Sequence, residues 1–369
     1  VYEGHNLASE TSYVQMVLDR GGPLDPVLIA SDQHTDYQMG PDLPVHDEPY
    51  LWLVRYSMAR HLVVEAHRQG ASTILTGYGA ELILDSSAMS IADRLREGRW
   101  VSAYREARRW AEATSTNIRD VLFRRAVLAS AVPATLREGI ATLLRGGYGR
   151  WPDLGRFDIP PWVLPRFAQE TRMWDRALEI IRRFNRYPVE RSFRIAGLEA
   201  TRGDWTSWFA AAPLGLRQSH PFADPRVVAF SLGLPETVRT APGEKEPVLR
   251  EAMKGVLPEP IRTRRHKRGF DNLYSAGLTR ALPDLDAMIA QSKVGELDLF
   301  DLPQLTRVLR EHALGIGDAM VGSRINASLA VLAWYDQLGP ALRSVGDPSE
   351  VHRVHAGVPA PASSRVNIR

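Results

Sequence analysis

Thr73-Ile74-Leu75 is a short apolar run that stops at Thr76-Gly77-Tyr78-Gly79. Upstream, "EPYLWLVRYSMARHLVVEAHRQG" carries apolar residues at helical spacing and closes on Gly70, a residue suited to end a helix. Before that, "DPVLIAS" (Asp25 to Ser31) reads as another strand. Strand, helix, strand in that order demands a crossover connection and favours a parallel sheet. The first part of the chain is therefore expected to be α/β.

From Ala88 onward strand signals nearly vanish. "IADRLREGRWVSAYREARRWAEAT", "TRMWDRALEIIRRFNRY", "EPVLREAMKGVLP" and "GSRINASLAVLAWYDQLG" all show helical periodicity. The segment "GRWPDLGRFDIPPWVLP" (Gly149 to Pro165) is too apolar for a free linker, which predicts an ordered loop packed on the body. After Pro340 the chain turns to Gly, Pro, Ser, Ala and Val without periodicity, as disordered tails do. The expected organisation is an α/β region over 1–90, a helical part over 91–340 and a disordered tail over 341–369.

Composition removes several classes of function. The 369 residues include no cysteine, so disulfides, thiolate metal sites and a catalytic cysteine within them are excluded, and a cytoplasmic location is the simplest expectation. No run approaches the ~18 apolar residues of a membrane span, and "VYEGHNLASE" has no signal-peptide character. Forty-six Lys and Arg against 43 Asp and Glu leave a formal charge of +3, which by itself gives no reason to expect a nucleic-acid partner. Walker A, nucleophile-elbow, H-E-x-x-H and dinucleotide fingerprints are absent.

Two stretches carry chemistry. In open parallel sheets ligands bind beyond the carboxyl ends of strands, where the turn after Leu75 lies. Gly77 and Gly79 would let the backbone approach a phosphate, and Glu81 would hold an accompanying magnesium ion. The alternative is a plain tight turn, with Glu81 complementing the first turn of the next helix. The second stretch, Arg262 to Arg268, puts five permanent cations within seven residues and would neutralise a departing pyrophosphate. A solvated charge run or a nucleic-acid patch are the alternatives.

Together these stretches resemble the C-terminal synthetase domain of the asparagine synthetase family. That family's Ser-Gly-x-Gly-[Gly/Ser]-Asp-Glu pattern is matched by Thr76-Gly77-Tyr78-Gly79-Ala80-Glu81-Leu82, and its x-Pro-Phe-Leu-Asp by His220-Pro221-Phe222-Ala223-Asp224. "LREAMKGVLPEPIRTRRHKRGF" is similar to its Leu-Arg-Glu helix, Leu-Pro turn and Arg-x-Lys-x-x-Phe loop.

The resemblance implies a partial ATP-pyrophosphatase (adenine nucleotide alpha hydrolase-like) layer followed by a mainly helical body, with ATP and Mg2+ as cofactors. It implies an AMP-forming ligase that adenylates a carboxylate for attack by an amine. Thr76, Gly77, Tyr78 and Gly79 would bind nucleotide, Glu81 the metal, and Lys267 the pyrophosphate and the adenylation transition state, with Lys245 a second pyrophosphate candidate.

Three departures refine it. The family's Ser-Gly-Gly-x-Asp-Ser loop is not in these residues and is expected upstream of Val1, as if the sequence were incomplete at its N-terminus. The family's Asp-Glu has become Glu81-Leu82. Where asparagine synthetases carry Gly-Val-Glu-x-Arg, this chain has Gly215-Leu216-Arg217-Gln218-Ser219, which points away from asparagine synthesis toward relatives such as the β-lactam synthetases and lasso-peptide macrolactam cyclases. The aromatic loop with Trp151, Phe157 and Trp162 favours the cyclase, with a precursor peptide as partner, unless it is plain packing. A glutamine-hydrolysing asparagine synthetase fragment and a binding-only relative are the alternatives.

Overall fold

Thr73–Leu75 (β1) and Arg217–Ser219 (β2) form a parallel pair in the register Thr73↔Arg217, Ile74↔Gln218, Leu75↔Ser219. They are the two strands named among the residues that the computed structural model describes, which are 10–29, 34–38, 46–124, 131, 159–184, 186–200, 206–264, 271–317 and 319–344. Most of the remaining described residues are helical. The coarse expectation of parallel pairing within a largely helical chain thus agrees with the structure. Leu75 is 72% exposed, so β1 is not the strand buried on both faces that an interior parallel sheet would contain.

Helix α1 (Thr11–Asp19) opens the described chain, and α2 (Tyr56–Arg68) leads toward β1. The longer helical pattern predicted here resolves into a 3₁₀ turn at Leu53–Arg55 followed by α2. Gly70, at φ +78, ends it in the left-handed conformation that glycine adopts without strain. Of the strand predicted at Asp25–Ser31, the described part, Asp25–Ile29, has no regular structure and Leu28 is 61% exposed, while Ala30 and Ser31 lie outside the described residues. Val27 is likewise 46% exposed, so the run is not buried as a strand inside a parallel sheet would be.

Beyond the glycine turn come α3 (Ala80–Leu84), α4 (Ser90–Arg96) and α5 (Trp100–Ala113). Helix α5 buries Ala103, Ala107, Trp110 and Ala111, the i, i+4, i+7, i+8 stripe of a core-facing helix. That stripe packs with Ile91 and Ala92 of α4 and with Val189. Helices α6 (Met173–Phe184) and α7 (Val189–Ala200) follow as a packed pair. A π-helical turn, Ser207–Ala211, then leads into β2 and α8 (Pro225–Gly233).

After α9 (Pro247–Ala252), the chain ends in α10 (Asp271–Gln291), α11 (Leu302–Ala313) and α12 (Ala319–Ser344). These three bury Leu278, Leu285, Leu305, Leu309, Ile325 and Leu329 in the largest core. Gly277 lets α10 approach the Asp36 backbone, since a Cβ there would lie 2.6 Å from the Asp36 carbonyl oxygen.

Trp162 is 1% exposed in the same core, and its Nε1–H donates to Ser328 Oγ at 2.9 Å. Trp162 therefore packs, and it lines no groove; Trp151 and Phe157 lie outside the described residues. Helix α12 runs to Ser344, and residues 345–369 lie outside the description.

Candidate functional site

The fold joins the two motifs that stand some 140 residues apart. Thr76 N–H donates to Ser219 O at 3.0 Å, extending the β1–β2 pairing by one bond. Thr76 Oγ1 lies 2.6 Å from His220 Nδ1 and accepts from Tyr78 N–H at 3.2 Å. The Tyr78 and His220 rings are 4.9 Å apart. The Thr76-Gly77-Tyr78-Gly79 turn is thereby seated on His220-Pro221-Phe222-Ala223-Asp224.

The two glycines have different reasons. Gly79 sits at φ +90 beside Phe222 and Ala223; the backbone angle calls for glycine, while a Cβ there would make only ordinary contact, 3.6 Å from Ala223 N. Gly77 has neither demand: its φ is not positive and a Cβ would meet nothing within 4 Å. The space over Gly77 is open.

Glu81 is exposed in the first turn of α3. Leu82, at the position of the family's second acid, points at α7, where its Cδ2 would lie 3.2 Å from a Cβ built on Gly197. The far end of α3 is held by buried polar groups. Arg194 Nη1 donates to Leu82 O at 3.1 Å and Nη2 to Asp85 O at 2.7 Å, while Ser231 Oγ donates to Ile83 O at 2.6 Å. Those carbonyls have no partner within so short a helix, and capping them fixes its position. Glu190 accepts from Arg194 Nε and from Arg239 Nη2, each at 2.5 Å. Burial lowers the Arg239 guanidinium from its ordinary pKa, against the attraction of Glu190, which raises it. Asp93 in turn accepts from Val189 and Glu190 N–H at 2.6 and 3.0 Å, capping α7.

Lys245 stands near this end of α3. Glu246 N–H donates to Asp85 Oδ1 at 3.2 Å and Ala241 N–H to Ser86 Oγ at 3.0 Å, pinning the loop that carries Lys245. Because α3 is only ~7.5 Å long, this loop and the glycine turn lie at the two ends of one short element. Lys245 lines a cavity of about 770 Å³ with Asp85, Trp110, Thr114 and Glu244. Arg250, on α9, ties this loop to the basic stretch: its Nε donates to Lys245 O at 2.6 Å, Nη2 to Arg264 O at 2.5 Å, and Nη1 to Arg262 O.

The basic stretch is only partly described. Arg262 is paired with Glu259 at 2.5 Å, and Arg264 with Glu10 at 2.6 Å, lying 4.4 Å over the Tyr13 ring. These two cations serve local structure, so the five-cation loop expected for polyphosphate loses two members. Lys267, with Arg265, His266 and Arg268, lies outside the described residues. The described residues contain no cluster of three or more His, Asp or Glu side chains that would hold a cation.

Asp224 ends the second motif as the N-cap of α8, accepting from Arg226 N–H at 2.8 Å. Its hydrogen bonds from Arg226 hold its carboxyl down at about 2.

With this arrangement in view, residues 209–336 match the family model described as asparagine synthase. That segment is similar to the asparagine synthase family. It covers about a third of the chain. No curated protein matches the chain at a significant level. The asparagine synthase segment includes β2, the His220–Asp224 motif, Lys245, Arg250 and Lys267, while Thr76 to Glu81 lie upstream of it and reach it through the contacts above. The family is one of ATP-dependent ligases.

Sequence reasoning missed the Glu190–Arg194–Arg239 cluster and Asp93, all of which support the site from behind. The i, i+4 spacing of Glu190 and Arg194 was the available signal, but on a helix so rich in charge it also describes a solvated face.

Proposed function

We propose that the protein is an AMP-forming amide ligase that adenylates a carboxylate and lets an amine of the same molecule displace AMP, as lasso-peptide macrolactam cyclases do. One observation carries the reading: the glycine turn is docked on the His220–Asp224 motif of the asparagine synthase segment while Gly77 faces open space. A glycine that the chain's own packing does not require is explained by a ligand backbone or phosphate approaching it.

In such a reaction a carboxylate oxygen attacks the α-phosphorus of ATP, the bond to the bridging oxygen breaks, and pyrophosphate leaves. The amine then adds to the acyl carbon, the acyl–oxygen bond to AMP breaks, and the amine gives up a proton. The chain's part is to place charge where charge builds up. The open space over Gly77 would admit the nucleotide phosphates, and Lys245 and Lys267 would act on the pyrophosphate, with Arg250 tying the Lys245 loop to the start of the basic stretch. Glu81 would supply one carboxylate to a magnesium ion brought in with the nucleotide phosphates. Once bound, the ion would neutralise phosphate charge. The precursor peptide is the proposed partner, and Arg217 in place of the asparagine synthetase acid supports a substrate other than aspartate.

Leu82 favours a second reading, a relative that binds nucleotide or peptide without turnover, because an apolar side chain packed toward Gly197 stands where the family has its second acid. Incubating the complete protein with ATP and a peptide carrying a free carboxylate and a free amine separates the two. AMP and pyrophosphate are expected, with pyrophosphate release lowered about 10²–10³-fold in K245A and K267A at unchanged unfolding midpoints. ADP and phosphate as products, or an undiminished rate in K267A, would overturn the ligase reading; magnesium-dependent ATP binding without turnover would favour the second.

A further inference from the structure

Away from the α3 site, the turn between α4 and α5 and the start of α5 enclose a groove of about 570 Å³. Arg94, Arg99, Arg105 and Arg109 line it, against Glu106 as the one acid among the described lining residues. Trp100 and Val101 complete it, 67% and 65% exposed, and Tyr104 lies one turn further along, 59% exposed. The core does not need these apolar side chains, because α5 already buries Ala103, Ala107, Trp110 and Ala111 on its other side.

The charges are unevenly matched. Glu106 lies 3.8 Å from Arg94 and 3.6 Å from Arg109, and Arg94 is also paired with Glu236 at 2.9 Å. Arg99 meets Glu97 at 3.2 Å. Arg105 forms an ion pair with none of the described residues, and the groove keeps an excess of positive charge beside an exposed indole.

Trp, Tyr and Arg are the side chains that dominate protein–protein hot spots. We propose that this groove docks an acidic peptide segment, with an apolar side chain against Trp100 and Val101 and carboxylates on Arg99, Arg105 and Arg109. Guanidinium and carboxylate pair in two-point hydrogen bonds, and such a segment supplies the negative charge the groove lacks. The Glu106 carboxylate and the aliphatic lip suit a peptide better than a continuous phosphate backbone. The proposal is independent of the ligase reading, since it uses none of the residues placed at the α3 site.

Fluorescence anisotropy of labelled short peptides, each with one leucine or phenylalanine flanked by glutamates, tests it on the full chain. Saturable binding that weakens with salt is expected, with W100A and R105E each at least about 10-fold weaker and circular dichroism unchanged. Both side chains lie on the outer side of α5, so neither substitution disturbs the core. The proposal falls if glutamate-flanked peptides do not bind, if lysine-flanked ones bind equally, or if both variants bind as the parent does. Preferential displacement by a single-stranded oligonucleotide would also overturn it, making the groove a nucleic-acid surface.

Discussion

Replacing Glu190 by alanine should be among the most damaging single changes in the chain. Its carboxylate is 4% exposed and neutralises Arg194 and Arg239, themselves 3% and 5% exposed. Removing one partner of a buried ion pair strands the other charge, at a cost of about 3–5 kcal/mol. The stranded arginines keep some partners: Arg194 still donates to Leu82 O and Asp85 O, and Arg239 to Ser231 O at 2.9 Å. The lower end of that range, about 3 kcal/mol, is therefore expected. Arg194→Met should match or exceed it, since it leaves the α3 carbonyls unpaired as well, at about 1–3 kcal/mol per buried group. Urea unfolding followed by circular dichroism measures both. A loss below about 1 kcal/mol for E190A would refute the reasoning, because it would mean that the cluster behaves as an ordinary surface pair.

Gly277→Ala should destabilise by about 1–3 kcal/mol, because its Cβ would press on Asp36 backbone rather than on a side chain that can move; thermal unfolding reads it. Trp162→Phe loses the bond to Ser328 Oγ and part of the indole volume from a site only 1% exposed, for an expected cost of about 1–3 kcal/mol in urea unfolding. Asp224→Ala removes a helix N-cap and should lower the thermal unfolding midpoint. Because Arg226 depresses the Asp224 pKa to about 2, its contribution is present above the ordinary carboxylate pKa near 4 and is lost as pH falls toward 2; D224A should show a shallower acid limb than the parent.

What the sequence disclosed follows physical lines. The glycine turn after Leu75 was legible because strand, turn chemistry and helix start are local signals, and its partner His220–Asp224 was legible by family pattern. The strand expected at Asp25–Ser31 shows the limit: its described part is irregular, with Val27 and Leu28 exposed, because an apolar run in the sequence announces burial that the fold need not grant. The helical pattern from Ile91 to Thr114 was read as one stretch, yet Gly98 at φ +74 divides it into α4 and α5. Arg264 reads as a free cation because its acid, Glu10, is reached only in the folded chain, whereas the Arg262–Glu259 pair is an i, i+3 contact that local spacing already offers. The same blindness to distant partners hid Glu190, Arg194 and Arg239, whose charge disguised their burial.

The parallel pairing of β1 with β2 also has a consequence for synthesis on the ribosome. Thr76 meets His220 across a sequence separation of 144, so when the glycine turn emerges, the residues that seat it have not yet been made. Until then β1 presents unpaired amides and carbonyls, with Leu75 beside them, to any other nascent chain. Local helices such as α5 form early, whereas this strand pair must wait for a long closure, the kind of contact that slows folding. Translation rate across residues 80–220 thus sets how long the edge stays open, and slowing it should raise the aggregated fraction before the glycine turn is seated.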